Sequence, residues 1–352
     1  MLELTLYSIV YFTSLIFMTT QIVFSEEFGK HNNMSHPENA ARLNVMMEEI
    51  KKAPFYKDLE FIKPEILPEK ILHDVHTDGM IEQVKDLSNE AGSWIDMDTY
   101  VCRSDYETAR LAAGGLLQVC NNVIKGKADN AFALVRPPGH HATKSKSMGF
   151  CLFNNAAIAA NELSKQGKKI LIFDFDVHHG NGTQDIFYNR KDVMYQSTHL
   201  SPHYPGTGAI DEIGVGDGEG YTINAPIYYG NGNNAVSKIL DEVFLPIAKQ
   251  FNPDLIIISS GYDSHHMDPL GGLRFTTDFF GTMTAKFQEI QPKIVGTLEG
   301  GYNLDMIGKC LVSQLGQMTD NPVNFNDSTD ESENVDEVIS KIKNEIKDYW
   351  EI

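Results

Sequence analysis

The chain is poor in the residues that staple small folds or anchor larger ones. Its 352 residues include four cysteines, Cys102, Cys120, Cys151 and Cys310, and no two stand in CxxC spacing. That excludes a zinc ribbon and a thioredoxin-type redox motif, and so few scattered thiols suit a reducing compartment. Basic residues are also scarce: 29 Lys and Arg stand against 48 Asp and Glu, a net charge of −19. A nucleic-acid binder needs a basic face, so direct binding of DNA or RNA is not expected. A negative field suits a cationic substrate, although solubility alone also accounts for it. Long apolar runs are missing except at the start. Leu4–Met18 is apolar but interrupted by Thr and Ser, and it is short for a membrane span of about 20 residues. It has neither the basic region nor the small-residue cleavage site of a secretory signal. We therefore expect residues 1–17 to be an extension outside the domain, with translation starting at Met18. The expected location is cytoplasmic, without a membrane partner.

What is present is an alternation of strands and helices. Gln21–Phe24, Ala131–Val135, Lys169–Phe175, Val193–Ser197, Asp254–Ser260 and Ile294–Leu298 are short apolar runs of strand length. Between them lie segments of helical spacing: Glu38–Lys52, Tyr106–Ile124, Asn155–Leu163, Ala235–Gln250 and Thr276–Ile290. Continuously apolar strands separated by helices indicate a parallel sheet covered on both faces. No internal repeat or linker interrupts the pattern, so one α/β domain is expected over 18–319. The segment 320–352 carries ten acids and three bases. The spacing of Val338, Ile342, Ile346 and Trp350 predicts a helix there, packed on the domain.

In an open parallel sheet, ligands bind beyond the carboxyl ends of the strands. The polar, Gly-rich segments of this chain fall there. In Asp176-Val177-His178, residues i and i+2 point the same way, so carboxylate and imidazole can reach one metal. Asp263 lies after another strand, and Asp, His and Asp are ligands of the kind a catalytic zinc uses, with room left for water. His140-His141 follow Arg136-Pro137-Pro138-Gly139, a rigid turn, and adjacent histidines there could supply a general base and acid. Asp174 could orient an imidazole or bind a second cation. Gly300 and Gly301 allow Tyr302 to turn its hydroxyl toward the same place, where a phenol donor can stabilise an oxyanion. Taken singly, each has an ordinary reading: polar loop residues, surface histidines, a helix-capping Asp, a packing tyrosine.

Together these stretches resemble the histone deacetylase family, specifically its class II branch and its bacterial and archaeal relatives. The matching segments are RPPGHHA (Arg136–Ala142), GFCLFNNAAIAA (Gly149–Ala160), DFDVHHGNGTQDIFY (Asp174–Tyr188), YPGTG (Tyr204–Gly208), SSGYDSHHMDPLGGL (Ser259–Leu273) and LEGGYNL (Leu298–Leu304). They occur in family order and span nearly the whole domain. The resemblance implies a single-domain arginase/deacetylase fold with a central parallel sheet of eight strands flanked by helices. It implies a zinc-dependent deacetylase, with iron(II) able to occupy the same ligands. Asp176, His178 and Asp263 match the zinc ligands, and His140 and His141 the tandem catalytic histidines. Asp174 sits where the family orients the first histidine, and Asn181 is paired with the second. Tyr302 matches the oxyanion tyrosine. A structural potassium ion is implied at Asp174, Ser197 and Thr198, with main-chain oxygens of Asp176 and His178. A weaker second monovalent site falls near Phe187, Arg190, Val193 and Tyr221. Gly149, Phe150 and Tyr204 match the walls of the acyl-lysine tunnel, and Leu270 a residue at its rim. Asp98 matches a rim acid that binds substrate amides, with Asp96 close by.

The implied substrate is an acetylated protein or peptide. An acetylpolyamine is the alternative: some polyamine-selective relatives carry an acidic gatekeeper where Leu270 stands, which favours acyl-lysine, while the negative charge favours polyamines. A two-manganese ureohydrolase of the same fold needs D-x-H-x-D, and Gly180 replaces the last acid. A non-catalytic acyl-lysine binding module would have lost the tyrosine or a ligand, and all are present.

Overall fold

The computed structural model describes residues 18–90 and 92–352. The apolar extension 1–17 lies outside the described residues. Ten strands are formed: β1 (Thr20–Val23), β2 (Leu59–Ile62), β3 (Ser93–Trp94), β4 (Tyr100–Val101), β5 (Asn130–Ala133), β6 (Ile170–Asp174), β7 (Val193–Leu200), β8 (Thr222–Ile227), β9 (Leu255–Ser260) and β10 (Ile294–Leu298). Eight make one sheet in the order β2-β1-β5-β10-β9-β6-β7-β8, and every pairing in it is parallel. β3 and β4 form a separate antiparallel hairpin.

The sheet follows from the apolar runs. All residues of β5, β6, β9 and β10 are buried, as strands covered on both faces must be. The helices Asp105–Ile124 and Asn155–Ser164 pack on each other and over β5 and β6. Helices Ala41–Lys52, Thr277–Ile290 and Ile307–Met318 form a second packed group. Among the described residues, no helix is long and apolar enough to cross a membrane.

Three departures from the sequence reading have physical causes. β2 and β8 are edge strands with polar or proline-containing sequences, LEFI and TINAPI, so neither shows the continuous apolar run that marks the central strands. The helix expected from Glu38 starts at Ala41, because Glu38 is drawn into a buried ion cluster. Its carboxylate takes both Arg136 (Nη2 to Oε2, 2.7 Å) and Arg42 (Nη1 to Oε1, 3.0 Å). The helix expected over Ala235–Gln250 is α-helical only at its two ends, with a π-helical turn at Leu240–Phe244. That turn adjoins Pro246, which lacks the N–H an unbroken α-helix requires.

In the C-terminal segment, helix Asp336–Ile346 buries Val338, Ile339, Ile342 and Ile346 and lies against β8. Trp350 falls beyond the helix and donates its Nε1–H to the Gly220 carbonyl at 2.6 Å.

Candidate active site

Four adjacent central strands, β5, β10, β9 and β6, each end in a segment rich in polar residues. Being parallel and neighbouring, they present those segments together at the carboxyl end of the sheet. Asp174 is the last residue of β6, and its Oδ1 accepts the Asp176 N–H at 3.1 Å. This turn brings Asp176 and His178 to one point, with the Asp176 Oδ1 3.1 Å from His178 Nδ1. The other Asp176 oxygen accepts the Gly300 N–H at 2.8 Å, across from the end of β10. Asp263, after β9, accepts the Val177 N–H on Oδ1 at 2.9 Å. Its Oδ2 is buried with no hydrogen-bond partner and stands 3.3 Å from His178 Nδ1.

A buried carboxylate oxygen left without a donor is costly unless a cation satisfies it. Asp176, His178 and Asp263 each offer one ligand atom, all within 4.8 Å of one another. Two carboxylate oxygens and one imidazole nitrogen are the donor set of a divalent metal. Burial would lower the His178 pKa, yet the two carboxylates push it up to about 10. The shift comes from the hydrogen bonds and charges of Asp176 and Asp263. The residues present fit a metal ion.

The tandem histidines stand beside this point, their ring centroids 4.0 Å apart. The turn carrying them is fixed by Glu299, whose Oε2 accepts the N–H groups of Gly139 (2.7 Å) and His140 (3.1 Å). His140 Nδ1 lies 3.1 Å from Asp174 Oδ2, and His141 Nδ1 lies 2.8 Å from Asn181 Oδ1. The partners differ in charge, and so do the imidazoles. Burial would lower the His140 pKa, but Asp176 and Asp174 override it and push it up to about 10. Burial, reinforced by the charges of His140 and His178, holds His141 well below the ordinary value. One histidine is disposed to hold a proton and its neighbour to lack one.

Tyr302 follows β10. Its ring lies 5.1 Å from the Arg42 guanidinium and edge-on to Phe150 at 5.9 Å. Burial, with Asp263 nearby, holds the phenol well above its ordinary pKa, so it remains a hydrogen-bond donor.

These groups open into one cavity of about 220 Å³. Asp98, Gly149, Phe150, Tyr204 and Leu270 all line it, as do His140, His141, His178 and Tyr302. Gly149 has φ +56°, and a Cβ there would meet the His141 ring at 2.4 Å, so only glycine lets wall and histidine approach so closely. Phe150 is also left-handed, at φ 69°, and its N–H is held by Thr99 Oγ1 at 3.2 Å. Strain of this kind collects where side-chain placement matters. The two rim acids part company. Asp96 caps its own turn, accepting the N–H groups of Asp98 and Thr99, and Asp98 faces the cavity.

Ser197 pairs in register with Asp174 across β6 and β7, and its hydroxyl is 2.9 Å from His199 Nδ1. Thr198 Oγ1 is buried and unpartnered. Near the second monovalent position, the Phe187 and Tyr221 carbonyls accept N–H bonds from Arg190 and Tyr195.

The sequence reading missed His203 and Cys151, both of which line the cavity. His203 stacks on His178 at 4.8 Å and bonds the Leu270 carbonyl through Nε2 at 3.2 Å. Its position beside Tyr204 was the available signal.

Comparison with known proteins identifies the family. The histone deacetylase domain model matches residues 36–318. The chain is 38% identical over 297 residues to a probable deacetylase of Archaeoglobus fulgidus, covering 82% of each. It is 37% identical to histone deacetylase 10, chloroplastic, of Oryza sativa subsp. japonica, over 79% of this chain and 68% of that one. The crystal structure of the HDA15 HD domain superposes with a TM-score of 0.89 at 35% identity, covering 95% of this chain and 96% of that chain. One family accounts for the sheet and the sequence similarity alike: the chain belongs to the histone deacetylase family and is a hydrolytic deacetylase.

Proposed function

We propose that this deacetylase is a zinc enzyme that removes acetyl groups from lysine side chains of proteins. The observation that carries the reading is the unpartnered Asp263 Oδ2, buried beside His178 and Asp176 at the cavity that holds both histidines and Tyr302. Zinc held by Asp176, His178 and Asp263 supplies Lewis acidity, polarising an acyl carbonyl and acidifying water. Iron(II) suits the same donors.

The other tasks fall to the chain's own residues. Gly149, Phe150 and Tyr204 enclose a linear acyl-lysine side chain and exclude water from it. Asp98 accepts substrate amide N–H groups at the rim. His141 donates Nδ1–H to Asn181, which leaves Nε2 free to take a proton from water. His140, with Nδ1 hydrogen-bonded to Asp174, gives a proton to the leaving amine. Tyr302 donates its hydroxyl to the oxyanion as it develops. The products are acetate and a free amine. Potassium at Asp174, Ser197 and Thr198 would brace the strand ends behind the histidines.

Leu270 supports a protein substrate over a polyamine, since it puts no carboxylate at the rim to meet a second cationic nitrogen. The test is a panel of acetyl-lysine peptides and acetylated polyamines, assayed with zinc-loaded and chelator-treated enzyme. Peptide turnover that is lost on chelation and restored by zinc supports the proposal. Full turnover by metal-free Asp263→Ala protein refutes the metal site, and faster turnover of polyamines refutes the substrate class.

A further inference from the structure

Asp327 lies beyond residue 318, where the family match ends, yet it reaches back to His265 and His266 in the loop that follows Asp263. Its Oδ2 accepts from His265 Nε2 at 3.2 Å, His266 Nε2 at 3.3 Å and Thr277 Oγ1 at 3.1 Å. Its Oδ1 accepts the Thr277 N–H at 3.0 Å, at the start of helix Thr277–Ile290. Two histidines and a carboxylate resemble a metal site, and their ligand atoms are close enough for one. The protons argue otherwise. The Met267 N–H points at His265 Nδ1 at 3.2 Å. That nitrogen is therefore the acceptor, and the neutral ring carries its proton on Nε2, between Asp327 Oδ2 at 3.2 Å and Thr277 Oγ1 at 3.1 Å. A metal ligand needs the opposite tautomer, with the far nitrogen donating. The cluster is a hydrogen-bonded clamp.

The clamp grips the loop that holds Tyr302. The Asp268 N–H bonds the His265 carbonyl at 2.9 Å. Asp268 Oδ2 accepts the N–H groups of Tyr302 (2.7 Å) and Asn303 (3.0 Å), and its Oδ1 accepts that of Leu270 (2.9 Å). Asn303 Nδ2 returns to the Met267 carbonyl at 2.7 Å. Asp327 thus pins one end of a short loop whose other side carries the backbone of the tyrosine and the rim leucine.

We propose that Asp327 is a positioning residue: through His265, His266 and Asp268, the C-terminal segment sets the placement of the Tyr302 phenol. This rests on the reading of Tyr302 as the oxyanion donor. The test is a double-mutant cycle on the full chain, pairing Asp327→Ala with Tyr302→Phe and reading kcat and KM on an acetyl-lysine peptide. Asp327→Asn is carried in parallel, because it keeps an oxygen to cap Thr277 if the alanine variant fails to fold. Asp327→Ala should lower kcat on the order of ten-fold, since displacing a reacting group by a fraction of an ångström has effects of this size. KM should stay within about two-fold, because the contact acts in the transition state. In the Tyr302→Phe background the same substitution should change kcat little, as the two act in series. An equal loss in both backgrounds overturns the proposal and leaves Asp327 a structural cap. Undiminished kcat in Tyr302→Phe alone refutes the underlying role of the tyrosine, and the positioning role with it. A divalent ion bound by wild type in addition to the first, and absent from Asp327→Asn, also overturns it, in favour of a second metal site.

Discussion

Replacing Gly300 with alanine drives a methyl group between the two carboxylates of the proposed metal site. A Cβ at Gly300 would lie 2.1 Å from Asp263 Oδ2 and 2.6 Å from Asp176 Oδ2, where real Cβ contacts are essentially never under 3.0 Å. The unpartnered Asp263 oxygen must therefore retreat by nearly 1 Å to relieve the contact. A metal site tolerates errors of about 0.2 Å in its ligand distances. Disturbing the partners that merely support ligands lowers metal affinity about 10–100-fold. Displacing a ligand itself should match the upper end, about 2.8 kcal/mol at 1.4 kcal/mol per ten-fold. The backbone at Gly300 has no positive φ, so the substitution adds little strain of its own, and the damage should be local. Metal affinity, measured by competition with a fluorescent chelator, isolates the effect from turnover. Gly300→Ala should bind zinc about 100-fold more weakly and regain activity as free zinc is raised. Unchanged zinc affinity in a folded variant would show that Asp263 Oδ2 is not a ligand.

Tyr302→Phe should keep metal and substrate binding while kcat falls about 10²–10³-fold, the usual effect of losing one oxyanion donor; a variant retaining most of its kcat would reduce the tyrosine to packing. Leu270→Glu should shift kcat/KM toward acetylated polyamines by placing a carboxylate at the rim, and an unchanged ratio between the two substrate classes counts against a gatekeeper there. Glu38→Gln should lower the free energy of unfolding in urea by about 3–5 kcal/mol near neutral pH, because two buried guanidinium groups lose their counter-ion. Burial alone would raise the Glu38 pKa, but Arg136 and His31 outweigh it and hold the carboxyl well below its ordinary 4.5. The stability it contributes is therefore fully present above pH 4.5 and lost as pH falls toward the folded value. The gap between wild type and Glu38→Gln should narrow on that side, and a gap independent of pH refutes the assignment.

The central strands were legible because burial on both faces demands unbroken apolar sequence, as in Lys169–Phe175 around β6. The edges were not: β2 leaves Glu60 and Phe61 exposed, and β8, although buried, carries Asn224, hydrogen-bonded to Gln184, and the edge proline Pro226. The chemistry at the strand ends was legible as motifs, for Asp176 and His178 are neighbours in sequence as well as in space. What could not be read was tertiary. Glu38 sits on a run of helical spacing, and only the fold reveals that two arginines claim it. His203 acquires its place by stacking on a histidine 25 positions earlier. Asp327 looks like one more acid in an acidic tail until His265 and His266 are brought against it.

The order of the sheet has a consequence for the protein's lifetime. Strands β5, β10, β9 and β6 are adjacent in space, but in sequence they begin at residues 130, 294, 255 and 170. No short contiguous fragment can assemble the site, whose strands are spread over residues 130–298, and pairings between such distant segments form slowly. The segments after two of the strands, β6 and β9, carry the three proposed metal ligands, and a third, β10, is followed by Gly300, whose N–H bonds Asp176. A metal bound there recognises only the closed sheet and stabilises the whole domain by mass action, by about 2.7 kcal/mol at 100 times its Kd. Protein made when the metal is short would spend more time unfolded and fall to proteolysis sooner. Metal supply would thus set how many molecules survive as well as how many are active.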